Sequence, residues 1–127
     1  MNKRLILLQK GIKGISVIVL DDEYKNLAPI ISIKANVSDK FLLGATYPPY
    51  AQKLSEKCAK NDVCFFVIKG IDEASEKEQK RFLSIIKDRE QNFYRLPDNC
   101  IVVLTVKSTE TLKNIIPEIY KLAVVCI

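Results

Sequence analysis

Thiols and carboxylates are the side chains best able to do chemistry in this sequence, because the chain contains no histidine. Without histidine, no Ser–His or Cys–His pair can activate a nucleophile. Three of the four cysteines, Cys64, Cys100 and Cys126, lie in apolar runs, where a cysteine usually packs as a small buried hydrophobe. Since no C-x-x-C pair occurs either, the sequence predicts no zinc site and no other metal site.

Two short clusters could instead bind a ligand or a partner. Asp21, Asp22 and Glu23 are consecutive carboxylates, for which a solvated turn or helix face is a more common setting than a metal site. Residues 47–50, Tyr-Pro-Pro-Tyr, form either a docking surface or a plain loop. Neither cluster identifies a substrate.

The composition is that of one mildly basic globular domain over residues 1–127. The chain is 48% hydrophobic and 28% charged, which favours folding over disorder. Its formal net charge of +5 comes from 20 basic and 15 acidic residues that are interspersed, so a nucleic-acid partner stays open without being favoured. The apolar run at residues 5–8 is too short for a secretory signal, and no run could span a membrane. We therefore expect a cytoplasmic protein that has no membrane partner.

Short apolar runs separated by helical segments predict an α/β fold. Continuous apolarity is typical of strands buried on both faces, and alternation of such strands with helices indicates a parallel sheet covered on both sides. Five runs have this character, at residues 5–8, 30–33, 63–68, 100–105 and 122–127.

Two of the intervening segments have clear helical spacing. Residues 47–60 place Ala51, Leu54 and Cys58 on one face. Residues 76–90 follow a predicted capping box between Ser75 and Glu78. The predicted inner stripe of this second helix is Gln79, Phe82, Leu83 and Ile86, and its solvated outer face is Lys77, Lys80, Arg81 and Lys87. Residues 92–99 read as a loop.

Residues 11–29 give conflicting signals. Residues 15–20 are rich in β-branched side chains and favour a strand by propensity. A helical face is also present, formed by Val17, Leu20, Tyr24, Leu27 and Ala28.

Residues 61–105 closely resemble the segment from Walker B to sensor one in AAA+ ATPases, particularly the MoxR-like and dynein-related branch. They read NDVCFFVIKGIDEASEKEQKRFLSIIKDREQNFYRLPDNCIVVLT. Residues 29–44 resemble the second strand of that family, and residues 5–16 lie where its phosphate loop belongs. The resemblance implies a three-layer P-loop NTPase-like sheet of about five strands with helices on both faces and no lid domain. It also favours a helix in the ambiguous segment after residue 16.

The phosphate loop implied by the resemblance is degenerate. The pattern G-x-x-x-x-G-K-[ST] places backbone N–H groups, a lysine and a hydroxyl around phosphate and magnesium. Here Gln9 replaces the first glycine and Ile15 replaces the lysine, which removes the cation that meets the β- and γ-phosphates. The vestigial phosphate-binding residues are Gly11, Lys13, Gly14 and Ser16.

The other chemical positions of the family are changed as well. Lys69 and Gly70 stand where the resemblance places the two Walker B carboxylates, so the metal-orienting group and the base are both absent. Lys107 aligns with the polar sensor-one residue, and Lys121 stands where an arginine finger is expected. For Asp72 and Glu73, which follow the strand end, we expect a role in helix entry or at the surface.

These changes predict a non-catalytic AAA+-like module with no catalytic residues and no cofactor. We expect it to act through a protein partner or self-association, as a structural or regulatory subunit. Two alternatives stay open: a nucleotide-binding protein without hydrolysis, in which ATP binding would survive, and a nucleic-acid-associated accessory subunit.

Overall fold

A computed structural model describes residues 17–43 and 48–127. Five parallel strands form its main sheet, in the order β2-β3-β6-β1-β7. They are β1 (Val17–Leu20), β2 (Ile30–Lys34), β3 (Cys64–Lys69), β6 (Cys100–Thr105) and β7 (Val124–Val125). The predicted α/β class is confirmed, and the predicted runs at 30–33, 63–68 and 100–105 are strands.

The two central strands β3 and β6 are apolar on both faces because both faces of the sheet are covered. Phe66 and Val102 are paired in register and belong to the larger of two core clusters, to which α2 (Ala51–Lys60) contributes Leu54 and Cys58. The neighbouring pair Phe65 and Ile101 points to the opposite face, where Leu27 and other residues of the crossover after β1 pack. The inner face predicted for residues 47–60 is confirmed.

Residues 17–20 form a strand, so the helix expected there is wrong. All four side chains of β1 are buried, and β1 lies between β6 and β7. The β-branched residues at this point fit a sheet interior, and their strand propensity outweighs the helical spacing of Tyr24 and Leu27. A short 3-10 helix, Asp22–Asn26, follows β1. The predicted run at 5–8 lies outside the described residues.

The long helix predicted at 76–90 is shorter and changes its winding. The capping box is confirmed, because Glu78 N–H donates to Ser75 Oγ at 3.1 Å and Ser75 N–H donates to Glu78 Oε1 at 2.9 Å. The α-helix α3 (Glu76–Lys80) ends early, and a π-helical turn covers Ser84–Asp88. Gln79, Phe82 and Ile86 of the predicted stripe are buried, so that part of the prediction is confirmed. Leu83 is only half-buried, and Ile85, which lies outside the predicted stripe, is fully buried because the wider turn rotates the chain.

Arg81 was expected on the solvated outer face of this helix, and that expectation is wrong. Its guanidinium donates to the carbonyl oxygens of Val37 at 2.6 Å and Ala35 at 2.9 Å, and it contacts Asp39 at 2.8 Å. Arg81 therefore holds the chain that leaves β2, just before the short helix α1 (Asp39–Leu43).

A small hairpin replaces the first part of the loop predicted at 92–99. Its strands are β4 (Glu90–Gln91) and β5 (Tyr94–Arg95), and they pair antiparallel. After β6 the chain forms a 3-10 helix, Thr109–Asn114, and the short helix α4 (Pro117–Tyr120), before β7, which is shorter than the predicted run at 122–127. No helix within the described ranges has the length and apolarity to cross a membrane.

Phe82→Ala is expected to lower the free energy of unfolding by about 3–5 kcal/mol, because it removes a fully buried ring and leaves a cavity. Lys87→Ala is the control on the same segment, where the side chain is exposed and the expected change is below about 0.5 kcal/mol. Chemical denaturation measures both. An equal loss in the two variants would contradict the orientation of this segment.

Candidate functional site at the carboxyl edge of the sheet

The residues that the sequence analysis singled out after the apolar runs 63–68 and 100–105 meet at the carboxyl edge of the sheet. β3 and β6 are parallel neighbours, so Lys69 and Gly70 lie beside Thr105 and Lys107. β1 is the next strand, and Val106 N–H donates to Leu20 O at 2.8 Å where β6 and β1 end. In open parallel sheets, ligands bind at this edge, where the crossovers diverge. In this sheet the connections diverge at the neighbouring strands β6 and β1. The connection from β1 runs to β2 at one edge of the sheet, and the connection from β6 runs to β7 at the other edge.

Gly70 has a structural role at this edge. Its φ of +73° is left-handed, a conformation that glycine adopts without strain. The turn directs Gly70 N–H to Thr105 Oγ1 at 2.9 Å. The position that would carry a catalytic base therefore serves to bend the chain, and it uses the Thr105 hydroxyl as an acceptor.

Asp72 also has a structural partner. It is 7% exposed, and its Oδ2 accepts a hydrogen bond from Lys107 N–H at 3.0 Å, which joins the exit of β3 to the exit of β6. Asp72 lies in a 3-10 turn, Ile71–Glu73, so the expected role in helix entry fits, whereas a surface position does not. Glu73 is exposed, as expected.

Lysines occupy the carboxyl ends of three adjacent strands. Lys34 and Lys69 are paired in register at the ends of β2 and β3, and Lys107 follows β6. Lys34 and Lys107 are exposed, and Lys69 is half-buried. Cations at these positions repel Mg²⁺ and attract anions. Within residues 17–43 and 48–127, no three His, Cys, Asp or Glu side chains are arranged to hold a metal ion.

The vestigial phosphate-loop residues Gly11, Lys13, Gly14 and Ser16 lie outside the described residues. Their assignment implies a helix soon after residue 16, because a phosphate loop joins a strand to the N-terminus of a helix. Residues 17–20 are strand instead. Within the described sheet, the loop that follows β1 is residues 21–29, which contain no glycine.

Three cysteines form a buried cluster at the opposite end of β3 and β6. Cys64 and Cys100 are paired in register, and Asn99 Nδ2 donates to Cys58 O at 2.8 Å, which holds the end of α2 beside them. A hydrogen bond from the neighbouring Cys100 thiol lowers the pKa of Cys58, while burial raises the pKa of Cys64. Burial of Cys64, Cys100 and Cys126 is confirmed, and Cys58 is buried as well. These thiols are part of the core.

The β4–β5 hairpin stands against α2, and nothing in the sequence pattern predicted it. Tyr50 Oη donates to Gln91 Oε1 at 2.6 Å, and Gln91 Nε2 donates to Arg81 O at 3.1 Å. Ser55 Oγ and Tyr94 Oη are 2.7 Å apart and share a hydrogen bond. Burial raises the pKa of Tyr50 and of Tyr94, so both phenols stay protonated at neutral pH and can donate.

The tip of this hairpin is strained and exposed. Asn92 and Phe93 have φ values of +48° and +68°, as in a two-residue type I′ turn, whose second position usually carries glycine. Phe93 is 90% exposed. Beside it lies a groove of about 490 Å³, and its described lining is Pro48, Pro49, Ala51, Gln52, Ser55, Phe93 and Tyr94. Two prolines of the segment 47–50 thus line a groove.

No family model matches this sequence, and no curated protein is significantly similar to it.

Asp72→Ala is expected to destabilise the fold by about 1–3 kcal/mol, because Lys107 N–H then loses its acceptor. Glu73→Ala is the matched control, since it removes an adjacent exposed carboxylate and should change stability by less than about 0.5 kcal/mol. Thermal denaturation is run with and without Mg²⁺. A loss in Asp72→Ala that appeared only with Mg²⁺ would contradict the structural role.

Phe93→Gly is expected to stabilise the isolated chain by about 1 kcal/mol, because glycine adopts a left-handed φ without the steric cost borne by phenylalanine. Phe93→Ala removes the same ring but keeps a Cβ, so its stability should stay close to that of the original chain. Urea denaturation compares the three proteins. Equal stability of the glycine and alanine variants would show that the backbone is not strained here.

Proposed function

We propose that this chain is a non-catalytic AAA+-like module that acts through protein–protein contacts, as a structural or regulatory subunit. The strand arrangement supports the likeness, because the strand that resembles Walker B and the strand that resembles sensor one are adjacent and parallel. Their carboxyl ends meet, as the family's chemistry requires of those segments.

One observation carries the non-catalytic part of the proposal: the polar groups at this edge are bonded to each other. Asp72 accepts from the Lys107 backbone, and Thr105 accepts from the Gly70 backbone. Phosphoryl transfer needs a bound metal, a group that positions the nucleophile and a cation at the transferred phosphate. With Lys69 and Gly70 in place of carboxylates, the first two requirements are unmet.

A protein with this edge is expected to show no ATP or GTP hydrolysis above background in the presence of Mg²⁺. Release of inorganic phosphate measures turnover, and calorimetric titration measures binding of Mg–ATP up to about 1 mM, the range of a weak site. Turnover by the pure protein that was lost in Gly14→Ala or Ser16→Ala would contradict the proposal.

The lysines at the carboxyl edge favour a second candidate, nucleotide binding without hydrolysis. Lys34, Lys69 and Lys107 could meet phosphate oxygens without a metal. The same titration with Mg²⁺-free ATP tests this function. Binding weakened at least about tenfold by Lys69→Ala and Lys107→Ala, but not by Lys113→Ala, an exposed lysine of the Thr109–Asn114 helix, would establish it.

A nucleic-acid-associated role is the third candidate and is supported only by the net charge of +5. Its signature would be an affinity for DNA or RNA that falls steeply as salt is raised.

A further inference from the structure

Phe93, at the tip of the β4–β5 hairpin, carries two costs that no contact recorded among the described residues offsets. Phe93 has a left-handed φ, and its ring is 90% exposed to water. Phe41, the next most exposed aromatic among the described residues, is 53% exposed. A glycine at position 93 would remove both costs in the isolated chain. The side chain is therefore explained better by a contact between molecules than by the fold.

The residues on either side of the hairpin tip are held by hydrogen bonds and by an aromatic contact. Gln91 is buried and is bonded both to Tyr50 and to the Arg81 carbonyl. Tyr94 is bonded to Ser55 on α2, and its ring packs edge-on against Tyr50 with centroids 6.1 Å apart. A backbone segment that is ordered in advance loses little conformational entropy when a partner binds it.

The same surface also contains a groove that could accept a phenylalanine ring from another molecule. The groove of about 490 Å³ beside Phe93 is larger than a phenylalanine side chain, and Pro49, Gln52 and Tyr94 are among its lining residues. A projection and a groove side by side are the two halves of an isologous contact, in which a two-fold axis places each projection in the groove of the other copy.

The charges around the groove suit a second copy better than a phosphate backbone. Arg95 at the hairpin is paired with Glu90 at 3.1 Å. At about 100° per residue, the lysines of α2 lie on a different side of the helix from Ala51, Gln52 and Ser55. Those lysines are Lys53, Lys57 and Lys60. The rim therefore presents little unpaired positive charge to a polyanion and no net charge that would repel a copy of itself.

We propose that this chain forms a two-fold dimer in which Phe93 of each copy enters the groove between α2 and the hairpin of the other. This inference rests on the proposed function, in which the chain acts through protein–protein contacts, and it names a second copy of the chain as the partner. Because the patch is small, the dimer is expected to be weak, with a dissociation constant on the order of 10–100 µM.

Sedimentation velocity over a range of protein concentrations tests the dimer. The original chain should pass from monomer to dimer as its concentration rises. Phe93→Gly should weaken the association at least about tenfold, since a buried aromatic anchor is lost, while its melting temperature stays the same or rises. Gln52→Trp should weaken it as well, because the exposed Gln52 lines the groove and a larger side chain there fills it.

Phe41→Ala is the matched control, because it removes an exposed phenylalanine that does not line the groove, and it should leave the association unchanged. A chain that stays monomeric throughout, or a dimer that persists in Phe93→Gly, would overturn the inference. Binding of a single-stranded oligonucleotide that required Phe93 in an otherwise monomeric chain would also overturn it, in favour of base stacking. None of these results bears on hydrolysis, so the phosphate-release assay still decides the non-catalytic function separately.

Discussion

The pairing of β3 with β6 is the interaction on which the rest of this structure depends. Their parallel register runs from Cys64 opposite Cys100 to Ile68 opposite Leu104, and every side chain in these pairs is buried. A parallel pair buried on both faces needs cover on both sides. On one face α2 and the buried residues Phe82, Ile85 and Ile86 help to supply it, and on the other face the crossover after β1 does so. The same register fixes which residues meet at each end of the two strands.

At the carboxyl ends of β3 and β6, this register brings together two backbone N–H groups that need hydrogen-bond acceptors. Gly70 N–H and Lys107 N–H leave the regular ladder where the strands stop, and Thr105 and Asp72 satisfy them. Because a polar group left unpaired in a buried site is costly, side chains at this edge are committed to holding the sheet together. The frame that resembles an ATPase is thus stabilised by groups at the place where an ATPase would use them for chemistry.

The segments outside the main sheet are connected to one another and to the sheet by hydrogen bonds, and in each case one side chain supplies several of these bonds or joins two segments. Gln79 donates to the carbonyls of Ala74 and Asn114 and accepts from Ile116 N–H, so α3 is joined to the segment after β6. Arg81 binds the chain that leaves β2. Gln91 joins the hairpin to Tyr50 at the start of α2. The strain at Phe93 can persist because the hairpin is held from several sides, and a local backbone cost survives only where its surroundings fix it.

Local physics was enough for the sequence to determine the strands β2, β3 and β6, the inner face of α2 and the capping box of Ser75 and Glu78. Each depends on continuous apolarity, on helical spacing or on a contact three residues away. At residues 17–20 the β-branched side chains already favoured a strand, and the tertiary structure decided against the competing helical spacing by placing this segment between β6 and β7. It also decided that Ile85 is fully buried, because the π-helical turn Ser84–Asp88 changes the winding there. The hairpin at 90–95 was missed because its turn carries phenylalanine where glycine would mark it, and because Tyr50 and Ser55, far away in the sequence, hold it in place. The meeting of Asp72 with Lys107 likewise follows from strand order, a long-range property that neither residue's local sequence contains.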